Sequence, residues 1–258
     1  MLELLQFRYS PYNEKVRWAL DLKRVPHRRE SLLPGPHMGR VRKLTGRTMT
    51  PVLLTDGGAI DGSTRIVEWL DAHHPAPRLL PAASVERAEA LALVRRFDHD
   101  IAPRGRRAVL QALLGSPRYF ARVFADGKPA WVQLGYAAIV PLAASLIRKG
   151  NGISGEAAVA DGLQAFEQGL NLVAERTQGG ADYLVGDAFS IADITAASVL
   201  AVCVDPPDSP MTRPLPQAPA FAALVASFAT HPGAAWVRRI YSRHRGAKRD
   251  FDGEGPDA

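Results

Sequence analysis

The segment Tyr9-Ser10-Pro11-Tyr12-Asn13-Glu14-Lys15 sets a hydroxyl where a helix begins, directly after a short apolar run. Pro11 suits the first helical turn, because the N–H it lacks has no helical partner there. Ser10 then falls at the N-cap, and two readings of it are open. As a cap, its oxygen accepts from a backbone N–H of the first turn. As a functional group, the same hydroxyl stands beside unpaired N–H groups at the positive end of the helix dipole, where it is placed to stabilise a thiolate. Tyr9 and Tyr12 are the neighbouring alternatives. Ser63, in Asp61-Gly62-Ser63-Thr64-Arg65-Ile66, repeats the arrangement as either a routine cap or an anion site. Between the two, Thr50-Pro51 opens an apolar run in which proline is tolerated as the first residue of a strand. His37, Arg40, Lys43 and Arg47 offer cations in the loop before Thr50, and Arg47 lies closest to it in sequence.

Other chemistries find less support. The seven histidines form no His-x-x-x-His pair and have no cysteine partners, so no metal site is expected. His73 and His74 are adjacent and diverge around a helix axis. No phosphate loop or paired-glycine dinucleotide fingerprint occurs. Cys203 is the sole cysteine, which rules out an intramolecular disulfide and dithiol exchange.

The elements that must hold these residues follow from periodicity. Leu2–Phe7 reads as a buried strand. Glu14–Leu22 reads as a helix with Val16, Ala19, Leu20 and Leu22 on one face and charged residues elsewhere. Arg28–Leu33 is a weak strand, and residues 34–50 hold a loop with an irregular helix. Pro51–Thr55 and Ala59–Asp61 flank the turn Asp56-Gly57-Gly58, and a helix runs from Ser63 to about His73. The order β-α-β-α-β-β-α predicts a small α/β sandwich of the thioredoxin type over residues 1–80. Pro75, Pro77 and Pro81 mark a linker. Residues 84–114, 155–177, 190–204, 219–230 and 233–243 then read as helices, giving an all-α domain over 84–245. Residues 115–150 form an excursion between two core helices. Within it, the apolar stretch Ala137–Ile147 fits a buried helix better than a membrane span. Residues 246–258 are basic, then acidic and Gly-rich, and are expected to be disordered.

Phe189-Ser190-Ile191-Ala192-Asp193-Ile194 has the spacing of a reciprocal cap between Ser190 and Asp193, with Phe189 and Ile194 placed as a hydrophobic staple. This string resembles the Phe-Ser-x-Ala-Asp-Ile signature in the helical domain of the glutathione transferase superfamily. The segment at Ser10-Pro11-Tyr12 is similar to the active-site motif of the serine-type tau transferases, and to the omega-class motif with serine in place of cysteine. The pattern at Gly62-Ser63 resembles the Glu/Asp-Ser-x-x-Ile landmark, with Gly62 where the acidic residue stands.

The resemblance implies a thioredoxin-like domain, an all-helical domain and glutathione as co-substrate. It implies that Ser10 donates a hydrogen bond to the glutathione sulfur and that Thr50 and cis-Pro51 align the tripeptide. Ser63, with the amides beside Gly62, would hold the γ-glutamyl carboxylate, and Arg47 would reach the glycyl carboxylate. Asp61, or Asp98 of a partner subunit, would meet the γ-glutamyl ammonium. A hydrophobic electrophile would lie between the domains against Tyr12 and helix 84–114. The expected function is conjugation or substitution of glutathione, a detoxification-type transferase activity. The alternative is a binding or regulatory protein of the same fold with little catalysis.

The totals set the remaining expectations. A chain of 258 residues with 47% hydrophobic and 22% charged residues is an ordinary globular sequence. Its start lacks the basic and apolar pattern of a signal peptide, so a cytoplasmic location and no membrane partner are expected. Net charge is +6, with clusters at Arg95, Arg96, Arg104, Arg106 and Arg107, and at Arg238, Arg239, Arg243, Arg245, Lys248 and Arg249. Without an accompanying reading surface these suggest solvated faces or attraction of small anions, not nucleic acid. A homodimer is expected from the resemblance, with Arg65, Arg95 and Arg96 at the contact.

Overall fold

The computed structural model describes residues 1–245 and 251–255. Its first part is a mixed sheet with helices packed on it. Strand β1 (Leu2–Gln6) pairs in parallel with β2 (His27–Ser31) and antiparallel with β3 (Val52–Thr55), which pairs with β4 (Gly58–Asp61). Helices α1 (Pro11–Leu22), α2 (His37–Thr45) and α3 (Ser63–His73) connect them. Leu4, Leu53, Val16, Leu20, Ile66 and Leu70 are buried where α1 and α3 meet the sheet. The Thr50–Pro51 peptide bond is cis, as the resemblance implied.

The second part is helical: α4 (Ser84–Arg96), α5 (Ala102–Leu114), α6 (Pro117–Phe124), α7 (Ala130–Gly150), α8 (Glu156–Arg176), α9 (Ile191–Val204), α10 (Pro219–Ser227) and α11 (Pro232–His244). A π-helical segment, Phe97–Ile101, joins α4 to α5, so the stretch read as one helix over 84–114 is two with a wider turn between. Helix α9 is buried along its whole length. Its start carries the expected capping box: the Ser190 hydroxyl accepts from Ala192 N–H at 3.2 Å, and the Asp193 carboxylate accepts from Ser190 N–H and Leu184 N–H, both at 2.9 Å. Burial pushes the Asp193 carboxyl up to about 6 against those hydrogen bonds. Helices α5 and α8 approach closely at Gly162, where a Cβ would come within 2.7 Å of the Arg104 carbonyl oxygen.

Three expectations are corrected. First, α1 is not buried on its apolar face alone: the polar Asn13 and the charged Glu14, Lys15 and Arg17 are all buried as well. Glu14 pairs with Arg17 and Arg245, each at 2.7 Å, and Arg245 also pairs with Asp21 at 2.8 Å. Much of the basic clusters is likewise ion-paired. Arg104 and Arg107 pair with Asp161, and Arg243 with Asp182. Lys248 and Arg249 lie outside the described residues.

Second, the apolar stretch 137–147 is not a buried helix. It forms the centre of α7, in which Val140 alone of 21 residues is buried. Its two sides are both apolar, and the domain covers only one of them.

Third, residues 251–255 are ordered instead of forming part of a free tail. Strand β5 (Gly253–Gly255) pairs antiparallel with β2, giving a five-stranded sheet in the order β4-β3-β1-β2-β5. Phe251 supplies the anchor. It is buried beneath the Arg8 and Arg17 guanidinium groups, and its carbonyl accepts from Gln6 Nε2 at 2.5 Å. Residues 246–250 and 256–258 lie outside the described residues.

Candidate functional site

Helix α1 places the hydroxyl. Ser10 is the N-cap of α1 with Pro11 behind it, yet its side chain makes no capping hydrogen bond. Its carbonyl already accepts from the N–H groups of Asn13 and Glu14, at 3.1 and 2.9 Å. Among the described residues the hydroxyl has no hydrogen-bond partner, and Ser10 lines the mouth of a large cavity. The capping reading therefore gives no account of this side chain.

The two neighbouring phenols are engaged elsewhere. Tyr9 Oη donates to Asp126 Oδ2 at 2.9 Å, and Tyr12 Oη donates to the Asp98 carbonyl at 2.7 Å. Burial, then the nearby Asp126 carboxylate, raises Tyr9 far above the ordinary phenol range. Burial, then Asp98, pushes Tyr12 up to about 12. Both rings stay protonated near neutral pH, with their protons committed to Asp126 and to the Asp98 carbonyl. Tyr12 lines the cavity, as expected of the acceptor side.

The same helix ties the other landmarks together. Asn13 Nδ2 donates to Thr50 Oγ1 at 3.1 Å, beside cis-Pro51. The Pro51 carbonyl accepts from Gly62 N–H at 3.3 Å, so these two expected residues are in direct contact. Lys15 Nζ donates to Thr64 Oγ1 and pairs with Asp98 Oδ2, each at 2.8 Å. Burial lowers the Lys15 pKa, with Asp98 opposing the shift. Asn13 Oδ1 and Asp98 Oδ1 are buried with no hydrogen-bond partner among the described residues.

At α3, Gly62 and not Ser63 is the N-cap; Ser63 is the first helical residue, buried, with the unpaired N–H groups of the first turn around it. Gly62 has φ +89°, a conformation that side chains avoid, so the local backbone explains why glycine stands where the resembling motif is acidic. The proposed substitutes for that acid are placed differently. Asp61 lies between Arg65, to which it is bonded, and Arg47 at 3.6 Å. Asp98 is buried within its own chain against Lys15 and Thr64.

The basic loop divides. Arg47 is exposed and engaged with Asp61. Arg40 pairs with Glu30 at 2.6 Å and lines a separate shallow depression with Lys43. His37 lines the main cavity, with Nε2 at 2.9 Å from the Thr48 carbonyl.

The cavity has a volume of about 780 Å³ and lies between the α1 end of the sheet domain and the helical domain. Leu110 and Leu113 of α5, Phe120 of α6, Tyr136 and Val140 of α7, and Val199 of α9 give it an apolar wall. Of the predicted helix 84–114 only the α5 half contributes. Two cations interrupt the wall. Arg106 is exposed at the rim, and Arg213 is buried with its Nε atom unpartnered among the described residues. Arg213 stacks over Phe221 and lies 3.9 Å from Asp205. Asn13, Lys15, Arg106 and Arg213 join the site without having stood out as site residues in the sequence. Polar residues at positions 13 and 15, so close to Ser10, were the available signal for the first two.

Comparison with known proteins agrees with this architecture. The family model of the glutathione S-transferase N-terminal domain matches residues 4–78, and that of the C-terminal domain matches residues 156–227. A maleylpyruvate isomerase from Ralstonia sp. is 27% identical over 55% of this chain and 69% of its own. A probable maleylacetoacetate isomerase from Vibrio cholerae is 29% identical over 44% of this chain and 56% of its own. The chain thus spans about half to two thirds of the length of these curated relatives. A solved glutathione S-transferase from Rhodospirillum rubrum superposes with a TM-score of 0.58, covering 97% of this chain and 98% of its own at 21% identity. With both domain models matched in order and the thioredoxin-like and helical parts in place, the chain belongs to the glutathione S-transferase superfamily.

Proposed function

We propose that this protein is a glutathione-dependent transferase that joins the tripeptide's sulfur to an apolar electrophile. The observation that carries the reading is the Ser10 hydroxyl, left without a capping bond at the helix N-terminus and facing the cavity. In this reading Ser10 donates to the glutathione sulfur and lowers its pKa. The thiolate then attacks an electrophilic carbon; an S–C bond forms, and the leaving group departs with its bonding electrons. The thiol proton goes to solvent. Thr50 and Pro51 align the peptide backbone of glutathione, Gly62 and Ser63 present first-turn N–H groups to the γ-glutamyl carboxylate, and Arg47 serves the glycyl end. The apolar wall holds the acceptor beside Tyr12.

A second reading draws on the two arginines. Arg106 and Arg213 give an otherwise apolar cavity two positions for carboxylates, and two curated relatives are named as isomerases of maleyl keto acids. There the same thiolate would add to a cis double bond, allow rotation and be expelled, with no net consumption of glutathione. Assays of purified protein with glutathione and an aryl halide, and separately with maleylpyruvate, distinguish the two. Consumption of thiol with the halide supports transfer; isomerisation without thiol loss supports the second reading; neither reaction, with glutathione still bound, moves the protein to the binding or regulatory class. We place the protein in the cytoplasm as a homodimer, with Arg65, Arg95 and Arg96 exposed for the contact. Light scattering showing only monomer across micromolar concentrations would count against the dimer.

A further inference from the structure

Helix α7 has two apolar faces and only one partner for them. Its inner side, with Tyr136, Val140 and Ile147, walls the cavity. Its outer side carries Leu134, Leu142 and Leu146, bordered by Trp131 and Ile139, which also line the cavity; all five are exposed, with Leu142 at 84% and Trp131 at 76%. At 100° per residue these five fall on one stripe, along a helix about 31 Å long at 1.5 Å per residue. It lies in the stretch 79–155 that neither family model covers.

The charge around the stripe identifies what covers it. Residues 127–155 contain no aspartate or glutamate; Lys149 closes the helix exposed, while Lys128 and Arg148 are half-buried, bonded to the Ser31 carbonyl and to Gln111. Helix α6, packed against α7, adds Arg118 and Arg122, both exposed. A second copy laid on this stripe would set cation against cation in either orientation, with no carboxylate on the helix to offset them. An anionic lipid surface suits both features: acyl chains take the apolar stripe, headgroups take the cations, and Trp131 falls at one end where indoles favour the interface. The inner face of α7 is held by the domain, so the helix lies along a bilayer and does not cross it.

We propose that α7 is an interfacial helix that seats this protein on membranes containing anionic phospholipid, in contrast to the sequence expectation of no membrane partner. The test is sedimentation of the full chain with vesicles of phosphatidylcholine alone and of phosphatidylcholine mixed with phosphatidylglycerol. Wild type should pellet with the mixed vesicles, and less so at high salt. Leu142→Glu with Leu146→Glu should weaken this at least about tenfold. Lys149→Glu, which leaves the apolar stripe intact, should weaken it about fivefold. Both sets of side chains are exposed, so an unchanged thermal melt will show the variants folded. Failure of wild type to pellet with the mixed vesicles overturns the proposal, as does equal pelleting by the folded double variant. If the double substitution instead converts an oligomer to monomer and vesicles bind neither form, the stripe is a contact between copies and the proposal falls.

Discussion

The two walls of the cleft are built on opposite principles. On the polar wall the side chains around the open Ser10 hydroxyl are fixed by specific partners: Asn13 by Thr50, Lys15 by Thr64 and Asp98, Tyr12 by the Asp98 carbonyl. The apolar wall is held mainly by packing, with few directional contacts such as that from Tyr136 Oη to the Pro34 carbonyl, and one of its members, α7, rests on the domain by a single face. Directional contacts in a buried setting specify one geometry. Dispersion contacts tolerate exchange of one apolar side chain for another of similar volume. The polar wall should therefore set the chemistry and the apolar wall the choice of acceptor.

The largest expected effect tests the rigidity of the polar wall. Lys15→Ala leaves Asp98 buried without its cation and should cost about 3–5 kcal/mol in a denaturant titration. Lys15→Met combined with Asp98→Leu should recover most of that loss; if it does not, the pair contributes more than mutual neutralisation. Ser10→Ala comes next. One hydrogen bond to a charged group is worth about 1.5–3 kcal/mol, so turnover near neutral pH should fall about tenfold to a hundredfold. The absorbance titration of the bound glutathione thiolate should shift to higher pH with little loss of affinity. Identical titrations for wild type and variant would remove Ser10 from the mechanism.

On the apolar wall, Val140→Phe should raise KM for a bulky acceptor about tenfold while glutathione affinity stays constant. A matching loss of glutathione affinity would break the division between the walls. The smallest effect concerns Tyr12. The folded protein holds the phenol proton more tightly than the unfolded chain, at about 12 against 10.0. Ionisation thus opposes folding, and stability contributed by the neutral phenol is lost as pH rises through that window. Tyr12→Phe should flatten the alkaline fall in stability, cost about 1 kcal/mol at neutral pH, and leave the activity profile between pH 6 and pH 9 unchanged in shape, on the order of a single thiol titration.

The same contrast explains what could be read from the residues alone. Ser10-Pro11, Thr50-Pro51, Gly62-Ser63 and the Ser190–Asp193 box are local patterns whose geometry follows from neighbours a few positions away. The folded chain brings the first three together, and the fourth caps α9. Partners far along the chain left no such trace. Lys15 meets Asp98 across 83 positions and Glu14 meets Arg245 across 231, so the periodicity of α1 carried no sign that its charges are buried. Helix α7 misled for another reason: an apolar stretch interrupted by Pro141 carries no mark of which side the domain will cover. Gly62 is intermediate, since its positive φ accounts for the residue only once the turn is known.

Strand β5 bears on how the molecule is made. Ser31 N–H reaches Asp252 Oδ1 across 221 positions, and among the described residues β2 has no other strand partner on that edge. During synthesis the N-terminal sheet can assemble early, but its β2 edge must wait for nearly the whole helical part to be translated. Throughout that interval a row of unpaired backbone donors and acceptors is available to another nascent chain. The closing strand thus acts late, as a seal against mispairing between copies, and a fusion joined near Phe251 would interfere with yield before it touched activity.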